Sequence, residues 1–371
     1  MARNAPPVSH RPSISAHRVV AGARSALLVR PDATVDWWCA PDLDSPPLCW
    51  SLLDPSGGRA SFSGVRYASG SYAPAGPTAR TVLVVDERRV EVRDGLLERP
   101  GHDPALVRLV RGCDGDLDLG HELSVGGFGA DRGRWELGVV AQTGTGRQRV
   151  SVHGGEHTAV GGVLRSRLLA PRGRWTALVI GVGDQPSHPG AAELADELER
   201  AEAEHGGWLS GCRLPARHRQ RAVDALAVLR ACTYDPTGAT VAALTTSLPE
   251  APGHDRQYDY RFSWLRDASL AVSVASLLGQ RGDATRYLRF VHRVTGGRVV
   301  PSGPVVDIHG RTVPEEREVP GLAGWAGSTP VRVGNGAAGQ VQYDALGMLA
   351  EAVGVRADRR PAGCDHLADG A

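Results

Sequence analysis

The hydrophobic period of this chain changes near residue 190, and that change constrains the fold more than any other feature. Before it, apolar residues come in short runs at period two. Val82-Leu83-Val84-Val85 is followed by Asp86-Glu87-Arg88-Arg89 and then by Val90-Glu91-Val92-Arg93 in alternation. Leu106–Val110, Asp116–Leu119, Trp135–Val140, Val150–Val152 and Trp175–Val182 continue the series, punctuated by Gly, Asp and Pro. Many short strands with such turns predict an antiparallel β-sandwich. After the change, Ala191–His205, Arg219–Tyr234, Ala268–Gly279 and Gln340–Val353 carry apolar residues at helical spacing. Gly279 ends one helix, and Asp283 reads as the N-cap of another through Tyr287, Phe290 and Val291. Strands followed by helices predict an α+β chain with two segregated domains and a boundary near residues 189–215.

Composition removes several classes. All 42 basic residues are arginine and the formal net charge is +1, so electrostatics favours neither nucleic acid nor an anionic membrane. Met1–Ser13 has no apolar stretch of signal-peptide length, and runs such as Val82–Val85 and Ala177–Ile180 are too short to cross a bilayer. Cys39, Cys49, Cys113, Cys212, Cys232 and Cys364 include no C-x-x-C pair, as expected of thiols in a cytoplasmic protein. Gly126-Gly127-Phe128-Gly129 lacks the lysine of a phosphate loop, and Gly144, Gly146 and Arg149 only half-spell a dinucleotide turn. His153 and His157 sit four apart in a Gly-rich, strand-like region and read as surface histidines. No metal and no organic cofactor is expected.

The densest polar and aromatic segment is Tyr258-Asp259-Tyr260-Arg261-Phe262-Ser263-Trp264-Leu265-Arg266-Asp267-Ala268, just before a helix. Two readings apply. Asp267 caps the helix, Arg266 is its ion-pair partner and the aromatics are core. Alternatively, the aromatic faces pack on a pyranose ring while arginine and carboxylate bracket its hydroxyls.

This segment resembles glycoside hydrolase family 15, the glucoamylases and bacterial trehalases. The resemblance extends over Tyr234–Ala239, Thr245–Glu250, Asp259–Arg261 and Trp264–Ala268. Asp36-Trp37-Trp38-Cys39, Pro41, Asp44-Ser45-Pro46 and Leu52-Leu53-Asp54 resemble the N-terminal domain of the trehalase-like members. Glu316–Glu318, Gly324, Gly327-Ser328, Pro330–Asn335 and Gln340–Asp344 resemble the next catalytic block. The resemblance implies a trehalase-like β-sandwich over 1–188, a helical linker over 189–215, the first part of an (α/α)6 barrel over 216–355 and an irregular tail over 356–371.

It also implies inverting hydrolysis of α-glucosides such as trehalose, maltose or isomalto-oligosaccharides. Arg266 and Asp267 match the pair that holds the non-reducing glucose, Tyr260 and Trp264 match the aromatics of that subsite, and Arg332 and Asn335 belong to a loop bordering it. Inversion needs an acid and a base carboxyl roughly 6.5–9.5 Å apart. In the family both follow the block ending here at Asp344. Glu351, Asp358, Asp365 and Asp369 match neither motif, so neither role is assigned and both groups are expected beyond residue 371. Twelve helices of about 12 residues with connections of about 5 need roughly 200 residues; Ala216–Ala371 supplies 156. The expectation is therefore a shortened chain, inactive alone. Its alternatives are a non-catalytic carbohydrate-binding remnant, or one half of a split enzyme whose barrel a second chain completes.

Overall fold

The computed structural model describes residues 13–70, 75–128, 134–136, 140–142, 149–296 and 303–357, without side chains at 140–142 and 356–357. Of the features read from the sequence, residues 1–12, Gly129, Gly144, Gly146 and residues 358–371 with Asp358, Cys364, Asp365 and Asp369 lie outside them, whereas Arg356 and Ala357, expected in the irregular 356–371 tail, instead end the last helix.

The first half folds as two large β-sheets. One runs in the order 156–160, 163–170, 117–124, 59–62, 35–39, 26–29, 18–21, 75–76, with 47–49 beside 35–39. The other runs 134–136, 140–142, 149–153, 176–182, 105–112, 88–97, 78–85, 66–70. All neighbours are antiparallel except 18–21 and 75–76, where Val19 lies opposite Ala75. The alternation seen in sequence is physical: in Val163–Ala170 the residues Leu164, Ser166, Leu168 and Ala170 point inward and Arg165, Arg167 and Leu169 outward. Leu27, Trp38, Phe62 and Leu119 of the first sheet share one core with Leu83, Val92, Leu106 and Ile180 of the second. Asp86 and Glu87 form a two-residue hairpin loop, with Val85 opposite Arg88 and φ of +47° and +62°. Both positive angles match a type I′ turn, the geometry that fits strand twist.

Five helices follow among the described residues: α1 (Ala191–Ser210), α2 (Arg219–Ala231), α3 (Leu265–Leu277), α4 (Arg281–Thr295) and α5 (Asp344–Ala357). α1 lies on the outer face of the second sheet, where Leu194, Ala195 and Leu198 pack on Leu97, Val107, Leu109 and Val179. Gly95 makes room for it, since a Cβ there would sit 2.4 Å from Leu198 Cδ2. Arg93, within the sheet, reaches Glu199 at 3.2 Å and Glu202 at 2.9 Å. α3 packs against α4 and α5 through Leu265, Ala268, Val272, Tyr287, Phe290 and Ala345.

Four sequence-based boundaries are corrected. Helix α4 begins at Arg281 with Gln280 as N-cap, so Asp283 is not the cap but a first-turn carboxylate that accepts from Arg286 Nη2 at 2.6 Å. α3 begins at Leu265 with Trp264 as N-cap, so Asp267 likewise lies inside the first turn. Both positions suit a negative charge, because the helix N-terminus is the positive end of the dipole. α2 stops at Ala231, and Thr233–Tyr234 pairs as a strand with Ala239–Thr240. Gln340–Tyr343 precedes α5 instead of belonging to it.

The two halves are joined by the residues of the Asp36–Cys39 strand and the loops after it. Neighbouring side chains on a strand face opposite ways. Trp38 therefore enters the sandwich core, while Trp37 enters a separate cluster with Trp50, Leu53, Val319 and Val331. Trp37 Nε1 donates to Leu244 O at 2.8 Å, Tyr234 Oη to Asp42 Oδ1 at 2.8 Å, Arg261 Nη1 to Ser45 O at 2.8 Å and Ala323 N to Asp54 Oδ2 at 2.7 Å. All five residues of Val35–Cys39 are buried.

Candidate functional site

The segment leading into α3 is extended, so its odd and even residues face different ways. The odd residues Asp259 and Arg261 form a buried ion pair. Arg261 donates from Nε to Oδ1 at 2.9 Å and from Nη2 to Oδ2 at 2.7 Å. Burial works against the Arg261 charge, but Asp259 and the Cys39 thiol outweigh it and raise the guanidinium above its ordinary value. Burial pushes that thiol up to about 11, which leaves it inert. Oδ2 of Asp259 also accepts Gly334 N at 3.1 Å. One carboxylate thus ties the segment to the 331–335 loop.

The even residues form an aromatic row. Tyr258 and Tyr260 have ring centres 6.0 Å apart, and Tyr260 and Trp264 6.3 Å apart. These spacings fall within the range of favourable aromatic pairing. An arginine closes each end: Arg332 lies 5.7 Å from the Tyr258 ring centre and Arg266 lies 6.0 Å from that of Trp264. Phe262 and Trp264 are anchored from below by Val305, Val313 and Ala337.

Arg266 joins the first turns of two helices. Its Nε donates to Asp267 Oδ1 at 3.2 Å in α3, and its Nη1 to Asp344 Oδ2 at 2.7 Å in α5. The bonds to Asp344 and then Asp267 raise the Arg266 pKa, and the same bond lowers that of Asp344. The side chains of Arg266, Asp267 and Asp344 remain 38%, 42% and 47% exposed, so all three are open to a ligand.

The 331–335 loop is braced from behind. Arg332 O accepts from Thr246 Oγ1 at 2.7 Å and Ser247 Oγ at 2.8 Å, and Arg332 N donates to Ser247 Oγ at 2.8 Å. Arg332 Nη1 donates to Asp255 O at 2.8 Å and Gln257 O at 3.1 Å. Asn335 is buried; its Nδ2 donates to Asp259 O at 3.1 Å and its Oδ1 accepts Ala337 N at 3.0 Å. Both polar ends of that side chain are engaged within the protein.

Of the six candidate residues, the structure therefore gathers Tyr260, Trp264, Arg266 and Asp267 into one cluster. Arg332 stands at the far end of the aromatic row, and Asn335 supports the loop. Sequence reasoning did not single out Asp344 or Tyr258. The aromatic alternation at 258, 260, 262 and 264 was a readable signal for Tyr258. Asp344 carried only its place at the end of a family-like block. His153 and His157 lie on strands of different sheets, with His157 Nδ1 bonded to Ser166 Oγ at 2.9 Å. Among the described residues no group of three or more His, Cys, Asp and Glu is placed to hold a metal, and no helix is long and apolar enough to cross a membrane.

This cluster sits within the part of the chain that matches a known family. Residues 216–355 match the Glycosyl hydrolases family 15. The chain is 28% identical to a trehalase of Mycolicibacterium smegmatis, over 94% of this chain and 58% of that protein. It is 26% identical to a trehalase of Mycobacterium tuberculosis, over 94% and 57%. A shorter stretch of 127 residues is 42% identical to trehalase 1 of Sulfolobus acidocaldarius, covering 34% of this chain and 23% of that one. The chain spans a little over half the length of the two mycobacterial relatives.

Proposed function

We propose that Arg266 and Asp267 hold the terminal glucose of an α-glucoside, in the manner of a trehalase-type inverting glycosidase. The observation that carries this is the accessible Arg266, bonded to both Asp267 and Asp344 at the end of the Tyr258–Tyr260–Trp264 row. Such a group offers donors and acceptors to ring hydroxyls beside an aromatic surface. Trp264 and Tyr260 line the subsite, Arg332 borders it, and Asn335 holds the loop. The substrate is trehalose, maltose or an isomalto-oligosaccharide. We assign the sandwich to 1–188, the connecting helix to 189–215 and the family 15 segment to 216–355, as the first part of an (α/α)6 barrel.

Asp344 is a poor proton donor near neutrality, because Arg266 holds it below the ordinary carboxylate range. Asp267 is bound by the same guanidinium. A carboxylate held low, as Asp344 is, does not suit the acid role, which needs a raised pKa. On the family resemblance, in which the acid and base follow the block ending at Asp344, we assign both to residues outside 1–371 and expect the 1–371 polypeptide alone to bind sugar without hydrolysing it. Calorimetry with trehalose and maltose tests the binding: a millimolar site that is lost in Asp267→Ala, whatever binding remains elsewhere, supports it, and no association, or isotherms that coincide for the two proteins, refutes it. Glucose release by the purified polypeptide, abolished by Asp267→Ala, overturns the assignment of acid and base.

A second reading, a split enzyme, is favoured by one observation. Leu270 and Val274 on α3 are each 44% exposed, and Val341 and Tyr343 are 68% and 77% exposed before α5. Further barrel helices, in the same or a second chain, would cover these residues. A monodisperse monomer by light scattering, with no binding of a hydrophobic dye, counts against it. The buried, unpaired Cys39, Cys49 and Cys232 suit the reducing cytoplasm to which we assign the chain.

A further inference from the structure

A cavity of about 610 Å³ opens where the sandwich, α1 and α2 meet, and no residue of the aromatic row or the Arg266 cluster lines it. Its size lies within the range of small-molecule sites, about 300–1,000 Å³, and such sites favour junctions between domains. We propose that this cavity is a second carbohydrate site, taking a neutral mono- or disaccharide.

Small apolar residues, Ala21, Ala201 and Ala227 among them, form part of its lining. Several charged groups around them are held in place. Glu98 accepts from the backbone N–H groups of Ala23 at 2.6 Å, Arg24 at 2.9 Å and Ser25 at 3.3 Å. Gly22 permits that approach, since a Cβ there would stand 2.5 Å from Glu98 Oε1. Arg230 is held by Asp235 through bonds of 2.7 and 2.6 Å, and Arg99 faces Glu197 at 3.3 Å.

Guanidinium donors and carboxylate acceptors are thus interspersed around the cavity, Arg99, Arg200 and Arg230 beside Glu98, Glu197, Glu204 and Asp235. The carboxylates outnumber the guanidiniums by one, so an anionic ligand gains no advantage there over a neutral one. A hydroxylated neutral ring can accept from the arginines and donate to the carboxylates. On the α1 wall His205 and Trp208 stack with ring centres 5.8 Å apart at 24°. Burial and the nearby Arg230 charge lower the His205 pKa, keeping the ring neutral. The pair offers a flat face of the kind that sugar C–H groups pack against.

The experiment uses the 1–371 polypeptide carrying Asp267→Ala, which leaves the cavity untouched. It is titrated with maltose, trehalose and gluconate by calorimetry and saturation-transfer NMR. The expected result is millimolar binding of maltose or trehalose that weakens at least tenfold when Ala201→Trp fills the cavity. His205→Ala, a milder change in the same background, is expected to weaken binding at least threefold with the unfolding midpoint unchanged. Binding unaffected by both substitutions overturns the proposal, as does gluconate binding more tightly than either neutral sugar. If Asp267→Ala alone abolishes all binding, the second site is refuted while the reading of the Arg266 cluster stands.

Discussion

Replacing Asp259 by asparagine should unravel the support of the candidate site from a single atom pair. The side chain is fully buried and accepts four bonds, from Arg261 N at 3.2 Å, Nε at 2.9 Å and Nη2 at 2.7 Å, and from Gly334 N at 3.1 Å. Asparagine keeps the shape but removes the charge and turns one acceptor into a donor. In either orientation that donor faces an Arg261 donor, and in one of them Gly334 N as well. Breaking a buried ion pair by removing one partner costs about 3–5 kcal/mol, because the remaining charge is left uncompensated. Arg261 retains Ser45 O at 2.8 Å, so the lower end, about 3 kcal/mol, is expected. That is a large part of a typical stability of about 5–15 kcal/mol. Urea unfolding followed by tryptophan fluorescence reads the loss. The double variant Asp259→Leu/Arg261→Met removes both charges and should recover much of it, since an apolar replacement of a whole buried pair is often neutral. A loss below about 1 kcal/mol for Asp259→Asn, or a double variant as unstable as the singles added together, refutes this account.

Gly334→Ala should cost at least about 2 kcal/mol, because φ is +77° and the new Cβ would stand 2.1 Å from the Glu315 carbonyl oxygen; a urea midpoint equal to wild type would contradict this. Changing Asp86-Glu87 to Asn-Gly should raise stability by about 1 kcal/mol, since both positions hold positive φ. The exposed Arg66–Glu87 pair lost with it contributes little; calorimetric melting decides. Burial opposes charge on His17, but the bond to Asp36 at 2.9 Å and the Asp36 charge outweigh it and raise the pKa. With the folded value above the unfolded one, near about 6.5, this stabilisation is complete below the unfolded value and is lost as pH rises through the folded one. The stability gap between wild type and His17→Gln should therefore narrow from pH ~6 to pH ~9, and a constant gap in urea midpoints would show that the pair is not coupled to folding.

The sandwich was most legible in the strands that keep one face wet, such as Leu117–Ser124 and Val163–Ala170. Leu164, Ser166, Leu168 and Ala170 alternate with outward residues, and the alternation is the sheet. Val35–Cys39 gave no such signal, because both of its faces are covered. The Ala191–Ser210 period announced a helix but not its partner; Leu198 against Gly95 is a contact that only tertiary packing reveals. The cap readings of Asp267 and Asp283 failed for a shared reason. A carboxylate in the first turn satisfies the same helix end as a capping residue, so sequence alone leaves the start uncertain by a few residues. At the site, Arg266 and Asp267 were legible through the motif around them. Asp344 lies far away in sequence and reaches Arg266 only because two helix N-termini converge. Asn335 looked like a polar loop residue facing a pocket, yet its amide is taken up by Asp259 and Ala337.

The strand bearing Trp37 and Trp38 has no outside, and that has a consequence for inheritance. A detachable module can be exchanged between proteins with its surface intact. Here the exchange of either half would strand Trp37 without Leu244, Ser45 without Arg261 and Asp54 without Ala323. Trp50 and Leu53 would lose Val319 and Val331 at the same stroke. The two sides of this junction must therefore change together or not at all, and a chimera that swaps the sandwich should fold only if the matching 244–261 and 319–331 segments travel with it.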